Sequence, residues 1–478
     1  MWVPKYLKDR SMGRFLPLPT QIVSNEEYLP VPQSRNQRRV EKRINELASH
    51  YSKRLGQPRR EFLTTSGGMA AAFIAMNEVF GHYFAVTPAE AAETAAYDER
   101  WPKNQFIFDV QTHHVRAGAP EPLFFRKLSA AFNKELEGVE PQRGDLQIKN
   151  YTKEVFFDSD TVISLISGVP SRLLDVLSAD DMVSTRNQVN ALAGSQRMLS
   201  HGFFAPYLPN LMEELERQAK ELKIDAWKCY TGVPKYENEY PWTMDDEETA
   251  YPFYEKTREL GIQNICVHKG LPLPGSSPEF THPRDIKKAA LDHPDLNFII
   301  YHAGFKAANY ELKSEDEYIG QDGYLAWTTD LVRAREENPR MTNVYMELGT
   351  TFGHTVVTHP KICAHLLGQV IRAFGADHVI WGTDSIWWGS PQWQIEAMRR
   401  FQIPEVLQEE FGYAPITDED KAKIFGLNAA RLFNVDVNIV RNAVPFDGLS
   451  KLKAQYQNEG GKPSNTQYGW IKDAKSVG

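Results

Sequence analysis

Five residues with the chemistry of metal ligands or acid–base groups stand at the ends of short apolar runs in this chain of 478 residues. The first run ends in Asp-Val-Gln-Thr-His-His, which places Gln111 and His113 two residues apart. Residues two apart on a strand face the same side, so these two side chains would point together into one site. His268, His302 and Asp384 each end a later run. Imidazole nitrogens and carboxylate or amide oxygens suit Zn²⁺ or a similar divalent ion, so the pattern predicts a metal site.

Three further polar residues lie close to these positions in the sequence. Lys228 lies in the fourth apolar run, where it could contact a substrate carboxylate. Glu347 ends the seventh run, where it could orient His302 or a water molecule, although a structural ion pair explains it equally well. His114 follows His113 directly and should point to the opposite side of the strand, which favours a supporting or purely structural role. A single histidine at a strand end is usually a hydrogen-bonded core residue, but candidates at the ends of four runs are harder to explain in this way.

Short runs rich in β-branched and aromatic residues alternate with longer charged, amphipathic stretches from about residue 105 onward. Strands that alternate with helices indicate βαβ units and a parallel sheet, and eight of them indicate a closed (β/α)8 TIM barrel. In such a barrel the chemistry sits at the carboxyl ends of the strands, where the candidate residues fall. We therefore expect a barrel over 105–440, preceded by an extended and helical extension at 1–104. The predicted strands are 105–110, 161–166, 203–208, 224–230, 264–268, 297–302, 343–348 and 378–382.

The same motifs, in the same order, resemble the amidohydrolase superfamily. They are a first-strand D-x-[H/E/Q]-x-H, a fifth-strand histidine, a sixth-strand H-x-G and an eighth-strand G-T-D. The segment DKAKIFGLNAARLFNVD at 420–436 resembles the closing helix of the amidohydrolase 2 branch, which includes the aminocarboxymuconate-semialdehyde decarboxylase-like enzymes. The resemblance covers roughly 105–436, the barrel, and leaves the N-terminal extension out.

The resemblance implies one divalent ion, with zinc favoured over manganese, held by Gln111, His113, His268 and Asp384. It also implies that Asp384 accepts a proton from an activated water molecule and that His302 is an acid or base that polarises the substrate. Gln111 departs from the family pattern, which has histidine or sometimes glutamate at this position. A neutral amide oxygen is a weaker ligand, so Gln111 would bind the ion weakly, favour a harder ion such as Mn²⁺, or only hydrogen-bond near the site.

The fourth strand and the loop after Asp384 could shape the substrate pocket. Some amidohydrolases use a carboxylated fourth-strand lysine to bridge two metal ions, but one first-strand histidine is missing here, so we prefer a single ion with Lys228 nearby. Aromatic residues in both places would form planar walls that suit an aromatic ligand. Packing of the loop or of a subunit interface explains them equally well. They are Trp227, Tyr230, Trp387, Trp388 and Trp393.

Three functions remain open at this point. The resemblance favours a metal-dependent hydrolase in which activated water attacks an amide, lactone or ester of a small substrate, and this preference rests on the breadth of the family alone. The alternative is non-oxidative decarboxylation of an aromatic or unsaturated carboxylic acid, which needs the same ligands. A non-catalytic barrel that acts as a binding module is the third hypothesis. Gln111 favours it, and the joint presence of the other four residues argues against it.

The bulk composition excludes several classes of protein. A net charge of -8 gives no electrostatic reason to expect a nucleic-acid partner, so a small-molecule substrate is the expected partner. The three cysteines lie in or near apolar runs, which indicates buried thiols rather than a disulfide framework. No apolar stretch reaches the ~20 residues that span a bilayer, so we expect no stable membrane span.

The regions outside the barrel lead to predictions about assembly and location. Residues 1–34 are rich in proline and polar residues and lack a core of their own, so we expect this arm to reach across a neighbouring subunit of a homo-oligomer. The tail at 441–478 is polar with little periodicity and should wrap the surface or be mobile.

The segment 58–91 has two interpretations. Its twin arginines, followed by the weakly apolar 62–77, resemble a twin-arginine export signal with a small-residue cleavage site at 89–91, which would make the protein periplasmic. The alternative is a basic helix at about 36–55 that runs into a buried alanine-rich helix, which fits a cytoplasmic location. The sequence leaves the location open between the two.

Overall fold

The computed structural model describes residues 2–12, 15–24, 32–116, 146–170, 177–233, 240–272, 276–306, 315–461 and 465–472. Its centre is a sheet of eight parallel strands, each hydrogen-bonded to the next in chain order. The strands are β1 (Phe108–Thr112), β2 (Ile163–Ile166), β3 (Met198–Phe204), β4 (Ala226–Tyr230), β5 (Asn264–His268), β6 (Asn297–Tyr301), β7 (Val344–Glu347) and β8 (Val379–Ile380).

The last strand returns to the first and closes the sheet into a barrel. The Val110 amide donates to the Trp381 carbonyl at 3.0 Å, and the Asp384 amide donates to the Gln111 carbonyl at 2.8 Å. Both bonds join β1 to the chain just beyond β8. The prediction of a (β/α)8 TIM barrel with an N-terminal helical region is confirmed.

A cluster of buried apolar residues shows which face of each strand points into the barrel. It takes members from all eight strands, and side chains from all eight can meet only inside the ring. Because side chains alternate along a strand, the residue two positions after a member also points inward. By this rule Lys228 points inward after Ala226, and His268 points inward after Cys266. The members on the strands are Phe108, Val110, Ile163, Leu165, Leu199, Ala226, Cys266, Ile299, Tyr301, Tyr345 and Ile380.

Helices precede the barrel and cover its outside. The basic helix predicted at 36–55 is observed as Arg35–Arg54, and it begins with a capping box in which Ser34 and Gln37 hydrogen-bond each other's backbone amides. The helices before the barrel are Lys5–Met12, Arg35–Arg54, Arg59–Phe62, Ser66–Phe80, Pro88–Ala92 and Thr94–Arg100. The helices around the barrel and after it are Ile148–Thr152, Lys153–Phe157, Ala179–Ala193, Leu211–Arg217, Gln218–Leu222, Ala250–Glu259, Pro278–Thr281, Pro283–Asp285, Ile286–Asp292, His302–Gly304, Glu315–Tyr318, Gln321–Gly323, Thr328–Glu337, Thr351–Val356, Pro360–Phe374, Ala376–His378, Gln392–Arg400, Glu405–Phe411, Asp418–Ala422, Lys423–Leu427, Asn428–Leu432, Val437–Ala443, Val444–Phe446 and Gly448–Asn458.

The third strand differs most from its prediction. It was expected at 203–208 and is observed as Met198–Phe204. The polar Ser200 and His201 interrupt the apolar pattern of this segment, although both side chains are buried. His201 points into the barrel, two positions after Leu199. The error therefore hid an inward-facing histidine.

The export-signal hypothesis for 58–91 is not supported by the fold. Its apolar part forms the helix Ser66–Phe80, whose buried residues belong to an apolar cluster shared with the outer helices of the barrel. Glu90, in the middle of the predicted cleavage site, forms a buried ion pair with Arg400, with 2.9 Å between Oε2 and Nη1. Removing this segment would expose that apolar surface to water. The observed form is the alternative, a buried alanine-rich helix.

The described part of the N-terminal arm lies against its own chain. Leu18, Ile22 and Val23 are buried in the same apolar cluster as the barrel helices. The expectation of an arm without a core is therefore wrong for 15–24. A homo-oligomer remains a prediction, but it no longer rests on an arm that reaches across a neighbouring subunit.

The chain after the barrel folds back onto it. Arg197, next to the start of β3, donates to Asp447 at 2.8 Å and so anchors the helix Gly448–Asn458. Further on, the strand Trp470–Lys472 pairs antiparallel with Trp2–Pro4. Of the two forms predicted for the tail, its described parts adopt the one that wraps the surface.

The cysteines and the helices agree with the composition. All three cysteines are free and buried, as predicted. Burial raises the pKa of the Cys266 thiol to about 12, so it stays protonated and apolar. Over the ranges of the chain given above, no helix is long and apolar enough to cross a membrane.

Buried histidines on the outer helices make the fold sensitive to acid. Burial lowers the pKa of His359 to about 4, against an ordinary value of about 6.5. The folded protein therefore holds a neutral ring that the unfolded chain would protonate, and the stability from this ring is lost as pH falls from about 6.5 to about 4. The loss approaches about 3 kcal/mol. We expect urea unfolding to show a shallower decline between pH 7 and 4.5 for His359→Gln than for the wild type, whereas the exposed His50→Gln should leave the decline unchanged. Equal slopes in all three proteins would contradict this.

Candidate active site

His113 and Asp384 form one half of the site, where β1 meets the chain after β8. The His113 Nε2 atom lies 3.0 Å from Asp384 Oδ1, and the Thr350 hydroxyl donates to Asp384 Oδ2. The register of β1 shifts between Asp109 and Thr112, an irregularity of the kind that re-aims side chains. Burial alone would raise the pKa of Asp384, but the hydrogen bond and charge of His113 and its other partners outweigh burial and hold the pKa below its ordinary value.

His268 and His302 form the other half, at the ends of β5 and β6. His268 Nδ1 lies 3.0 Å from His302 Nε2. The far nitrogens face carbonyl oxygens, His302 Nδ1 at 2.9 Å from Gly349 O and His268 Nε2 at 3.1 Å from Leu271 O. A carbonyl only accepts, so these far nitrogens carry the hydrogens and the two facing nitrogens present lone pairs to each other. Such a pair is stabilised by a proton between its nitrogens, or by a small separation of the rings that lets a metal ion bind at about 2.0–2.1 Å from a nitrogen.

Burial opposes the proton in that pair. It lowers the pKa of His302 to about 4, and burial together with the charges of His302 and Lys228 lowers the pKa of His268 well below its ordinary value. Both rings are therefore neutral near pH 7, which is the state in which imidazole binds a metal ion. The histidine pair has the chemistry of a cation site.

Gln111 adds a buried oxygen to the donor set. Its Oε1 atom has no hydrogen-bond partner among the described residues. It also has little room, because a Cβ atom added to Gly349 would lie 2.0 Å from Oε1. Gly349 therefore allows the amide to occupy this position.

The donor set fits a divalent ion in atom type, with imidazole nitrogens, a carboxylate and an amide oxygen. In the part of the chain that the structure describes, no three His, Cys, Asp or Glu side chains converge as they would around a metal. The four charged or imidazole side chains instead lie in two close pairs, His113 with Asp384 and His268 with His302. The structure thus brings these residues together as partners, and their role as ligands remains a proposal.

Lys228 lies inside the barrel among aromatic rings. Its Nζ atom is 3.5 Å from the ring centroid of Tyr301 and 5.4 Å from that of Tyr230, within the range of cation–π attraction. Tyr230 in turn stacks on His268 with 4.4 Å between centroids. The charge of Lys228, after burial, is a main cause of the low pKa of His201. Lys228 therefore places a positive charge next to the histidines of the site.

Glu347 accepts a hydrogen bond from the backbone of His302. Its Oε2 atom accepts from the His302 amide at 3.1 Å and its Oε1 atom accepts from the Gly349 amide at 2.6 Å. Burial raises the pKa of Glu347 to about 8. These contacts support the orienting role considered for it, which stays a prediction.

One of the predicted aromatic residues faces away from the site. Trp227 lies on the outer face of β4 and packs edge-on against Phe253, with 5.8 Å between centroids, because its neighbour Lys228 takes the inner face. Trp388 is buried, and its ring lies edge-on to that of Trp393. The prediction that Trp227 lines the pocket is wrong, and the one for Trp388 stays a prediction. Trp387 does approach the pocket, with its ring 6.5 Å from that of His113.

Two histidines outside the ligand set are buried. His114 points away from the site, and its Nε2 atom lies 2.8 Å from the Thr185 hydroxyl, which matches the structural role favoured for it. His354 is buried inside the helix Thr351–Val356, which packs on the barrel, and burial lowers its pKa to about 3.

Two residues of the site were missed in the sequence. The Nε2 atom of His201 lies 3.3 Å from the Tyr301 hydroxyl, inside the barrel. Its segment MLSHGFF has neither a continuous apolar run nor a regular apolar–polar alternation, so neither criterion finds this histidine. Thr350 contacts Asp384 from a loop, and a loop threonine has no signal in the sequence.

Part of the chain matches a known protein family. Residues 182–435, slightly more than half of the chain, match the model of a family described as amidohydrolase. The match includes His268, His302 and Asp384 and begins after β1. A comparison with curated protein sequences gave no match.

Solved structures share the fold at low identity. A TIM-barrel protein from Bordetella bronchiseptica is 18% identical, with a TM-score of 0.44 over 69% of this chain and 98% of that one. A 2,6-dihydroxybenzoate decarboxylase from Rhizobium is 16% identical, with a TM-score of 0.39 over 70% and 99%. A 5-carboxyvanillate decarboxylase from Novosphingobium aromaticivorans, complexed with manganese and a nitrobenzoic acid, is 13% identical, with a TM-score of 0.42 over 70% and 97%. Scores at this level support no argument about reaction or substrate.

Proposed function

Since this chain belongs to the amidohydrolase family, we propose that it is a metal-dependent decarboxylase of a small aromatic or unsaturated carboxylic acid. The observation that carries the proposal is the ammonium group of Lys228 inside the barrel, between Tyr230 and Tyr301. A positive charge among planar rings complements a planar anion, whereas a neutral amide or lactone has no use for it. The hydrolase expected from the sequence becomes the second candidate.

Each side chain has a role in this proposal. Gln111, His113, His268 and Asp384 would hold a divalent ion, which when bound supplies positive charge that polarises the oxygens of the substrate. Zinc and manganese both suit these donors, and the amide oxygen of Gln111 favours the harder manganese. Lys228 pairs with the carboxylate, while Tyr230 and Trp387 flank the ring.

Decarboxylation replaces a carbon–carboxylate bond with a carbon–hydrogen bond. A proton is delivered to the carbon that bears the carboxylate, the bond to the carboxylate breaks, its electron pair restores the unsaturated system, and CO2 leaves. Asp384, which is ionised because its partners hold its pKa low, would first accept this proton from a water molecule and then pass it to the carbon. His302, held by Glu347 and Gly349, orients and polarises the substrate.

One observation keeps hydrolysis as the second candidate. The partners of Asp384 hold its pKa low, and an ionised carboxylate accepts a proton from water, as hydrolysis requires. Assays of one preparation with hydroxybenzoic acids and with amides and lactones separate the two functions. CO2 release without hydrolysis supports the proposal, and hydrolysis without CO2 release overturns it.

Replacement of Lys228 by methionine tests the residue that carries the proposal. The variant keeps the length and the burial of the side chain and removes the charge. We expect kcat/KM for carboxylic acids to fall roughly ten- to hundredfold, because a hydrogen-bonded charge pair contributes about 1.5–3 kcal/mol. CO2 release over a range of substrate concentrations measures the effect. The control is Lys42→Met, whose side chain is 81% exposed. An unchanged kcat/KM in Lys228→Met would remove the basis of the proposal.

A further inference from the structure

Three successive residues after β7 connect two groups of the proposed catalytic site. Gly349 accepts at its carbonyl from His302 Nδ1 at 2.9 Å. The Thr350 hydroxyl donates to Asp384 Oδ2, and the Thr351 hydroxyl donates to the His302 carbonyl at 3.0 Å. His302 follows β6 and Asp384 follows β8, so the segment 349–351 links the ends of both neighbouring strands.

The backbone of these groups is unusual. His302, Thr350 and Asp384 have φ values of 67°, 54° and 58°, in the left-handed region that side chains rarely adopt. Histidine and aspartate enter this region several times more often than most residues, but a β-branched residue there is a true outlier. Thr350 therefore occupies a conformation that glycine would adopt without strain.

A glycine at position 350 would relieve the backbone strain but would lack the hydroxyl. Strained backbone persists where the surroundings impose it, and it gathers at functional sites. At Thr350 the following helix imposes the conformation. The Thr350 carbonyl accepts from the His354 amide at 2.7 Å, and the helix Thr351–Val356 begins at the next residue. This places the hydroxyl on Asp384 Oδ2 while Oδ1 faces His113 Nε2.

We propose that Thr350 is a positioning residue whose hydroxyl fixes the rotation of the Asp384 carboxylate, so that Oδ1 is presented on the side of His113 for a divalent ion. The inference rests on the proposed function, since it concerns the same site. Thr350 does not touch the substrate or the ion. It acts through Asp384. The strained backbone of Thr350 is the conformation that brings its hydroxyl to the carboxylate.

Four variants separate the hydroxyl from the shape of the side chain. Thr350→Val keeps the branched shape and removes the hydroxyl, Thr350→Ser keeps the hydroxyl, and Thr350→Gly removes both the hydroxyl and the strain. Thr355→Val is the matched control, because the hydroxyl of this buried threonine donates to the Thr351 carbonyl at 2.7 Å and not to Asp384.

Mn²⁺ alone is the probe, titrated into the full-length protein and followed by electron paramagnetic resonance, with urea unfolding of each variant alongside. We expect Thr350→Val to bind Mn²⁺ about ten- to a hundredfold more weakly, as for loss of other residues that orient a ligand. Thr350→Ser should bind within about threefold of the wild type, which rescues the effect. Thr350→Gly should bind as weakly as Thr350→Val and yet unfold at a higher urea concentration. A merely structural role would not weaken Mn²⁺ binding while raising stability.

The outcomes distinguish this inference from the proposed function. Wild-type affinity for Mn²⁺ in Thr350→Val, with weak binding in Asp384→Asn, overturns the positioning role and leaves the proposed function standing. If the Thr350 variants bind Mn²⁺ as expected but the protein releases no CO2 from any acid tested, the positioning role is supported and the proposed reaction is overturned. A wild type that binds no Mn²⁺ overturns both.

Discussion

Replacement of Asp384 by asparagine is expected to lower activity on the order of 10³-fold, the range of a lost acid–base group, and to remove the bound metal ion. The amide keeps the shape of the carboxylate, but it cannot carry the proton and has no charge to hold a divalent cation. Its contact with His113 Nε2 would also lose the charge that strengthens it. Elemental analysis of the purified protein and CO2 release from a panel of hydroxybenzoic acids measure the two effects.

The control for Asp384→Asn is Asp316→Asn, at a side chain that is 85% exposed. His268→Asn tests the same ion from the opposite pair, and we expect it to lose the metal as well. About one equivalent of metal in the wild type that both site variants lose would support the ligand set. A folded wild type with no stoichiometric metal would instead favour the third hypothesis, a barrel that acts as a binding module.

Replacement of Glu90 by glutamine is expected to destabilise the fold by about 3–5 kcal/mol, the effect of breaking a buried ion pair. Glu90 is 2% exposed and accepts from Arg400 at 2.9 Å and from Trp101 Nε1 at 2.8 Å. The Arg400 guanidinium is itself fully buried and lies over the ring of Trp101, 4.6 Å from its centroid. Loss of the carboxylate charge leaves that guanidinium with Glu396, at 3.5 Å, as its remaining buried carboxylate among the described residues. Urea unfolding with fluorescence detection measures the free energy.

The matched control for Glu90→Gln is Glu78→Gln, which breaks an ion pair between Glu78 and Arg43 whose side chains are 41% and 38% exposed. Such a pair contributes less than about 1 kcal/mol because water and salt screen it. Equal stabilities of the two variants would mean that the helices before the barrel are not held to it by this pair. A large loss in Glu90→Gln alone would show that the N-terminal helices and the barrel unfold together.

The sequence predicted most of the strands because buried parallel strands are short, continuous apolar runs. β5 was predicted at its observed bounds and β6 within one residue. β3 was not, because an inward-facing polar residue breaks such a run, and His201 was overlooked for the same reason. The twin arginines left two interpretations open, since a basic helix followed by an alanine-rich one has the composition of an export signal whether or not it is buried.

Residue types and order along the chain were enough to predict the barrel and to select Gln111, His113, His268, His302 and Asp384, because the ends of parallel strands meet at one rim of a barrel. Only the tertiary structure decided how these side chains pair. Residues at the ends of different strands approach each other through the register and closure of the sheet, which no local pattern encodes. The same is true of Thr350, whose contact with Asp384 depends on a loop conformation, and of Trp227, which the alternation of β4 turns outward because Lys228 faces inward.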